Sequence, residues 1–208
     1  MINVYVESNF VLEEALEQEQ CDSCRELIRI ASTGAIRLVI PAFSLAEPHI
    51  ALMRRGNERS RLVAELQKHL SELGRSKTYR EAPVNFGELV AVLITSAGQE
   101  RAGLQRATDG VLKTAEIIPL DLDIFHMAGG IQVAFDMPAQ DSFVLASIAS
   151  HLGATKPAES CFLNRNTKDF DVPNVRDLLD QFGCKFFGRF DDGLHYVEAR
   201  LRKEGPRV

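Results

Sequence analysis

The sequence predicts an α/β fold on a parallel sheet, with a long helical region inserted. Three observations predict it. Short runs rich in β-branched and aromatic residues, Ile2–Val6, Arg37–Ile40, Ser160–Leu163 and Lys185–Phe187, read as strands. Helical patterns separate them, as in parallel sheets, where each crossover needs a helix. The stretch from the second strand to Pro138 carries only helical spacing and reads as wholly helical.

The elements follow in order. After Ile2–Val6, Ser8 or Asn9 can cap a helix running to about Glu19, and Asp22 or Ser23 a second that Gly34 ends. After Arg37–Ile40 and Pro41 a helix begins at about Ser44, with Pro48 early in it, where proline is tolerated. Leu62, Leu66, Leu70 and Leu73 recur at helical spacing before Gly74. Phe86, Leu89, Val90, Leu93 and Ile94 repeat the pattern after Pro83, and further helices span about Gln99–Thr114 and Leu122–Ala134. Seven of these apolar side chains, Leu62, Leu66, Leu70, Leu73, Phe86, Leu89 and Leu93, are expected to pack on the α/β core, with part of the surface forming a homodimer. Gln140–Leu152, Val175–Phe182 and Asp191–Lys203 complete the helices, and the tail from Gly205 is expected to fray.

The composition of 208 residues, 45% hydrophobic and 25% charged, is that of a globular chain with one sizeable core. No apolar run approaches the roughly 20 residues that cross a bilayer. The start, Met1-Ile2-Asn3-Val4-Tyr5-Val6-Glu7, lacks the basic region of a secretory signal, so a cytoplasmic protein without membrane contact is expected. Cys21 and Cys24 form a C-x-x-C that could be a redox pair or half a zinc site. With helical sequence already before it and no second pair, two small residues on a helix is the favoured reading.

The net charge of -5 hides a contrast. Residues 54–80 carry eight bases, among them Arg54, Arg55, Arg59 and Arg61, against three acids. Such an excess can guide a phosphate backbone or be a solvated helix face.

Sites in open parallel sheets form outside the carboxyl ends of the strands. Glu7 follows the first strand, Glu47 lies in the helix after the second, and Asp141 opens the helix before the third. Asn164, Asn166 and Asp169 follow Ser160–Leu163. Each acid alone could merely stabilise a helix N-terminus. As a set on one edge they repel unless a cation joins them, and hard oxygen donors suit Mg²⁺ or Mn²⁺. His49, two residues from Glu47, could share this pocket, although a solvent-facing histidine is favoured. There is no G-x-S-x-G elbow and no Walker-type loop.

Four motifs then carry a resemblance: Val4-Tyr5-Val6-Glu7-Ser8-Asn9, Leu38-Val39-Ile40-Pro41 through Glu47, Gln140-Asp141-Ser142-Phe143 through Ala149, and Cys161-Phe162-Leu163-Asn164-Arg165-Asn166-Thr167-Lys168-Asp169-Phe170. In this order they resemble the PIN-domain ribonucleases. The resemblance covers residues 1–50 and roughly 135–190. It implies a three-layer α/β/α PIN-like domain over 1–190; it does not account for the helical region at about 53–135, which is read as an insert, and a C-terminal helix and tail follow at 191–208. It also implies metal-dependent cleavage of RNA. Glu7, Glu47 and Asp141 would hold Mg²⁺ or Mn²⁺, and Asn166 and Asp169 would orient water or a second ion. Arg165 and Lys168 would meet the phosphate, and Arg54 and Arg55 would guide the strand. Two alternatives accompany it. One is a VapC-type toxin restrained by a small antitoxin protein. The other is a module that binds RNA or a protein without cleaving, favoured by Glu7, where the family usually has Asp, and by the uncharged Asn166.

Overall fold

The computed structural model describes residues 1–79 and 86–204. The expectations for Arg80, the break at Pro83, the Phe86 side chain and the tail from Gly205 lie outside the described residues.

Strands β1 (Ile2–Tyr5), β2 (Ile36–Pro41), β3 (Glu116–Ile118), β4 (Glu159–Leu163) and β5 (Cys184–Phe187) lie parallel in the order β3-β2-β1-β4-β5. Central β1 pairs Val4 with Leu38 on one side and Cys161 on the other. Because side chains alternate across a strand, β1, β2 and β4 present apolar groups to both faces. Val4, Leu38, Ile40, Cys161 and Leu163 face one core. Helices α1 (Ser8–Ala15), α2 (Cys21–Ser32), α4 (Phe86–Thr114) and α9 (Phe190–Glu204) supply Phe10, Leu27, Leu104, Val111 and Val197 to it. Tyr5, Val39 and Phe162 face the other. There α5 (Leu122–Phe135), α6 (Ala139–Thr155) and α8 (Pro173–Asp180) supply Ile124, Leu145, Ile148 and Leu179. The chain is thus a three-layer α/β/α fold. Each large side chain removed from water contributes roughly 1.5–3 kcal/mol.

The structure corrects several expectations. The span read as wholly helical contains β3. Three residues are too few to show a period, and β3 pairs only with β2 at the sheet edge. Helix α1 stops at Ala15, short of Glu19, and Glu17 turns left-handed at φ 50°. Neither Ser8 nor Asn9 caps it, because the N-cap is Glu7. Likewise α2 begins at Cys21, without a side-chain cap. Helix α3 (Ala42–Leu73) starts earlier than expected and runs straight through Pro48. The proline, which has no N–H to give the ladder, is buried.

The apolar stripe of the helical region does not reach the core. Leu62, Leu73 and Leu89 are exposed, and Leu66, Leu70 and Leu93 are half-buried. At 1.5 Å per residue α3 is about 48 Å long, more than the sheet can cover. Among the described residues its far half pairs with α4 as a hairpin, pinned by Arg59, whose guanidinium grips Glu100 at 2.6 and 3.0 Å. Only the C-terminal half of α4, with Leu104, Ala107 and Val111, enters the core. It crosses α1 so closely at Gly103 that a Cβ there would lie 2.1 Å from the Ala15 carbonyl oxygen.

Cys24 is buried in the core and Cys21 half-buried on the same helix, both free thiols, as the helical reading of the pair has it. Among the described residues no helix is long and apolar enough to cross a membrane.

Candidate functional site

From β1 the chain steps outward to β2 and β3, then returns to the other side of β1 for β4 and β5. The order of the sheet reverses between β1 and β4, the position outside which sites form in open parallel sheets. Glu7 stands where β1 passes into α1, and Asn164 where β4 ends. Because α3 leaves β2 at its carboxyl end and α6 runs back toward the start of β4, Glu47 and Asp141 in their early turns reach the same edge.

Glu7 is 5% exposed and accepts a hydrogen bond from the Ser8 hydroxyl. Burial pushes its carboxyl up to about 7, with the Glu47 carboxylate adding to the shift while hydrogen bonds from Ser8 and Asn9 oppose it. Asp141 is half-buried. Burial first, then the carboxylates of Asp169 and Glu47, push it up to about 6, and the Asn166 amide opposes them. Glu47 therefore acts on both Glu7 and Asp141, and Asp169 and Asn166 act on Asp141. Among the described residues none of the four carboxylates has an ion-pair partner. Residues 114–155, which include α5 and Asp141, contain neither Lys nor Arg.

This donor set fits a hard divalent cation in kind: only oxygens and amides, four of them carboxylates held under mutual repulsion. Ser44 Oγ, Asn9 Oδ1 and Asn164 Nδ2 are further buried polar atoms without a partner, on the elements that frame the edge. As the side chains stand, no three acidic, imidazole or thiol groups among the described residues are gathered tightly enough to hold one ion. Carboxylates without a counter-charge repel one another, which favours their protonated forms.

The basic residues divide differently from expectation. Arg165 points away from the carboxylates: its guanidinium donates to Glu13, 1% exposed, and lies 3.8 Å from Glu19. Arg59 is taken by Glu100. Lys168 remains exposed on α7 (Thr167–Phe170), next to Asp169. Arg54 is exposed, 3.8 Å from Glu58, and Arg55 is half-buried. Seven residues is nearly two whole turns, so Arg54 falls on the Glu47 face of α3, about 10 Å along it. His49, by contrast, stands about 200° round the helix from Glu47. It lines a separate groove of about 460 Å³ between α3 and α4, with Met53, Asn57, Glu100 and Arg101.

From sequence Ser8 and Asn9 read only as candidate helix caps and Ser44 only as a helix start. The first two lie beside Glu7 in its motif, which is the one signal that pointed to them.

No protein-family profile matches the chain, and no curated protein sequence matches it. Among solved structures it is similar to a chain in the crystal structure of VapBC2 from Rickettsia felis bound to a DNA fragment from their promoter. Sequence identity is 14% and the TM-score 0.44, over 84% of this chain and 96% of that one. Likeness at this level assigns neither a family nor a function.

Proposed function

We propose that the chain is a metal-dependent ribonuclease of the PIN type, hydrolysing RNA phosphodiester bonds at the carboxyl edge of β1. One observation carries the reading: Glu47 bears electrostatically on both Glu7 and Asp141, and none of them meets a base. The mutual electrostatic influence of acids from motifs far apart in sequence supports this reading, in keeping with the family resemblance.

In this reading Glu7, Glu47 and Asp141 hold Mg²⁺ or Mn²⁺. The ion, when bound, supplies Lewis-acid polarisation of the scissile phosphate and acidifies attacking water. The chain's own groups do the rest. Asn166 presents its amide beside Asp141 and orients water. Asp169 accepts a proton at its carboxylate or contributes to a second ion. Lys168 and Arg54 meet phosphates on either side of the scissile bond. The exposed apolar residues Leu62, Val92 and Ile94 of the hairpin support a homodimer, which sedimentation over a wide concentration range tests.

The deciding experiment is cleavage of end-labelled single-stranded RNA with Mn²⁺, with Mg²⁺ and with EDTA. Metal-dependent fragments that Asp141→Asn abolishes support the enzyme. RNA binding without fragments under every condition supports the non-cleaving module instead, the reading favoured by the longer Glu7 and by the unclosed donor set.

A further inference from the structure

Three phenylalanines from three helices stand together: Phe43 in the first turn of α3, Phe125 in the first turn of α5 and Phe143 in the second turn of α6. The Phe143 ring is central. Its centroid lies 5.7 Å from that of Phe43 and 4.9 Å from that of Phe125, which it meets edge to face at 75°. Phe43 and Phe143 are half-buried and pack on the core, whereas Phe125 is 50% exposed. Each ring of an edge-to-face pair keeps at least one face outside the contact, so two anchored rings support a third that borders water. This ledge adjoins the acids. Glu47 is one turn beyond Phe43 on the same face of α3, and Asp141 shares a turn of α6 with Phe143. Charge limits what can lie on it. Residues 114–155 hold neither Lys nor Arg, and the exposed Asp121 and Asp123 stand on the same turn of chain as Phe125. A phosphate backbone is repelled there, whereas a flat, neutral base is not. The exposed cations Lys168 and Arg54 lie on α7 and α3, outside this span. A single strand with its phosphates toward those cations turns its bases toward the ledge.

We propose that Phe125, supported by Phe143 and Phe43, is a base-stacking residue that takes one unpaired nucleobase of the substrate strand on its open face. The inference rests on the ribonuclease reading above and names its substrate class, RNA that is single-stranded at the site. A base inside a duplex is already stacked between its neighbours and has no free face to give, whereas an unpaired base has one. Phenylalanine has no hydrogen-bonding group with which to read base edges, so the ledge selects for strandedness and tolerates any sequence. It touches no phosphate, so its contribution is independent of salt.

The test is fluorescence-anisotropy titration of single-stranded RNA with Mn²⁺ present, in an Asp141→Asn background that keeps the strand whole, with Phe125 intact or replaced by Ala, Leu or Trp. The same RNA is also titrated with one abasic nucleotide moved along it, and as a duplex, and melting curves and sedimentation accompany each variant. Phe125→Ala and Phe125→Leu are expected to weaken binding by about 5- to 150-fold, and Phe125→Trp to preserve it. The slope of log affinity against log salt should not change, because no phosphate contact is lost. At one position, removing the base should weaken binding to Phe125 by that same factor and should cost Phe125→Ala nothing further, which couples the ring to that base. Base removal that adds to Phe125→Ala at every position, Phe125→Leu binding as well as the parent, or a duplex bound as tightly as the single strand overturns the inference while the ribonuclease reading stands. Unchanged RNA binding with a fall in sedimenting mass also overturns it and makes the ledge a contact between copies of the chain. Absence of RNA binding overturns it too, and if the unsubstituted chain also cleaves no RNA the ribonuclease reading falls with it. If Phe125→Ala does not fold, Phe125→Leu and the abasic series decide.

Discussion

The guanidinium of Arg165 donates to the carboxylate of Glu13, tying the turn after β4 to the first helix of the chain. In sequence Arg165 stands beside the acids of the last motif and looks like a phosphate ligand. In the fold it neutralises a buried acid on the opposite side of the turn.

Arg165→Ala should therefore act on stability. Removing one partner of a buried pair costs about 3–5 kcal/mol, and the part-exposed arginine reduces this to roughly 2–3 kcal/mol. Urea unfolding measures it. A variant as stable as the parent but weaker in RNA binding would return Arg165 to the nucleic-acid surface.

The acid cluster makes metal-free stability depend on pH. The folded-state values of Glu7 and Asp141, about 7 and about 6, lie above their ordinary 4.5 and 3.8, so the folded chain binds these protons more tightly than the unfolded chain does. The stability they contribute is complete below those ordinary values and is lost as the pH rises through about 6 and then about 7. For buried Glu7 the loss is on the order of 3 kcal/mol. Mn²⁺ should accordingly raise the melting temperature more at pH 8 than at pH 5. Asp141→Asn should raise metal-free stability at pH 8 by about 1 kcal/mol, after allowance for its partial exposure. A metal-free melting temperature that climbs from pH 5 to 8 would show that burial and neighbouring acids do not hold Glu7 and Asp141 above their ordinary values.

Gly103→Ala should destabilise by about 3 kcal/mol, because the new methyl meets the Ala15 carbonyl oxygen, which is backbone and cannot turn aside. Gly98→Ala, five residues earlier in α4 with open space where its Cβ would stand, should instead stabilise by roughly 0.5–1 kcal/mol. Chemical denaturation of the two variants gives opposite signs if α4 crosses α1 as described.

Arg54 and Arg55 separate guidance from mere solvation. Replacing both by Ala should reduce the slope of log affinity against log salt by roughly 0.7 per lost contact to single-stranded RNA, with the preferred sequence unchanged. Filter binding at four or five salt concentrations is enough. An identical slope would make this stretch of α3 a solvated face.

Four strands and most helices were legible because their residues state their own environment. Val4-Tyr5-Val6 and Leu38-Val39-Ile40 are short, β-branched-rich and apolar on both faces, as strands between two layers are. β3 was not legible: Glu116-Ile117-Ile118 looks like the continuation of a helix, and only the β2 edge makes it a strand. The fate of Leu62 and Leu89 was equally hidden. Helical spacing shows that they share a stripe, but not that the hairpin outruns the sheet.

By itself the sequence determined the α/β class, the parallel sheet and which acids stand at strand ends, since these depend on local periodicity and on the turns that follow strands. Tertiary structure decided which polar groups face one another. Glu7 and Asp141 lie in different motifs, and Asn9 and Asn164 are 155 residues apart. Arg54 meets Glu58 one turn along its own helix, whereas Arg59 and Arg165 meet Glu100 and Glu13 across the fold. Charge pairing falls off over a few ångströms, and no spacing along the chain encodes a distance across the fold.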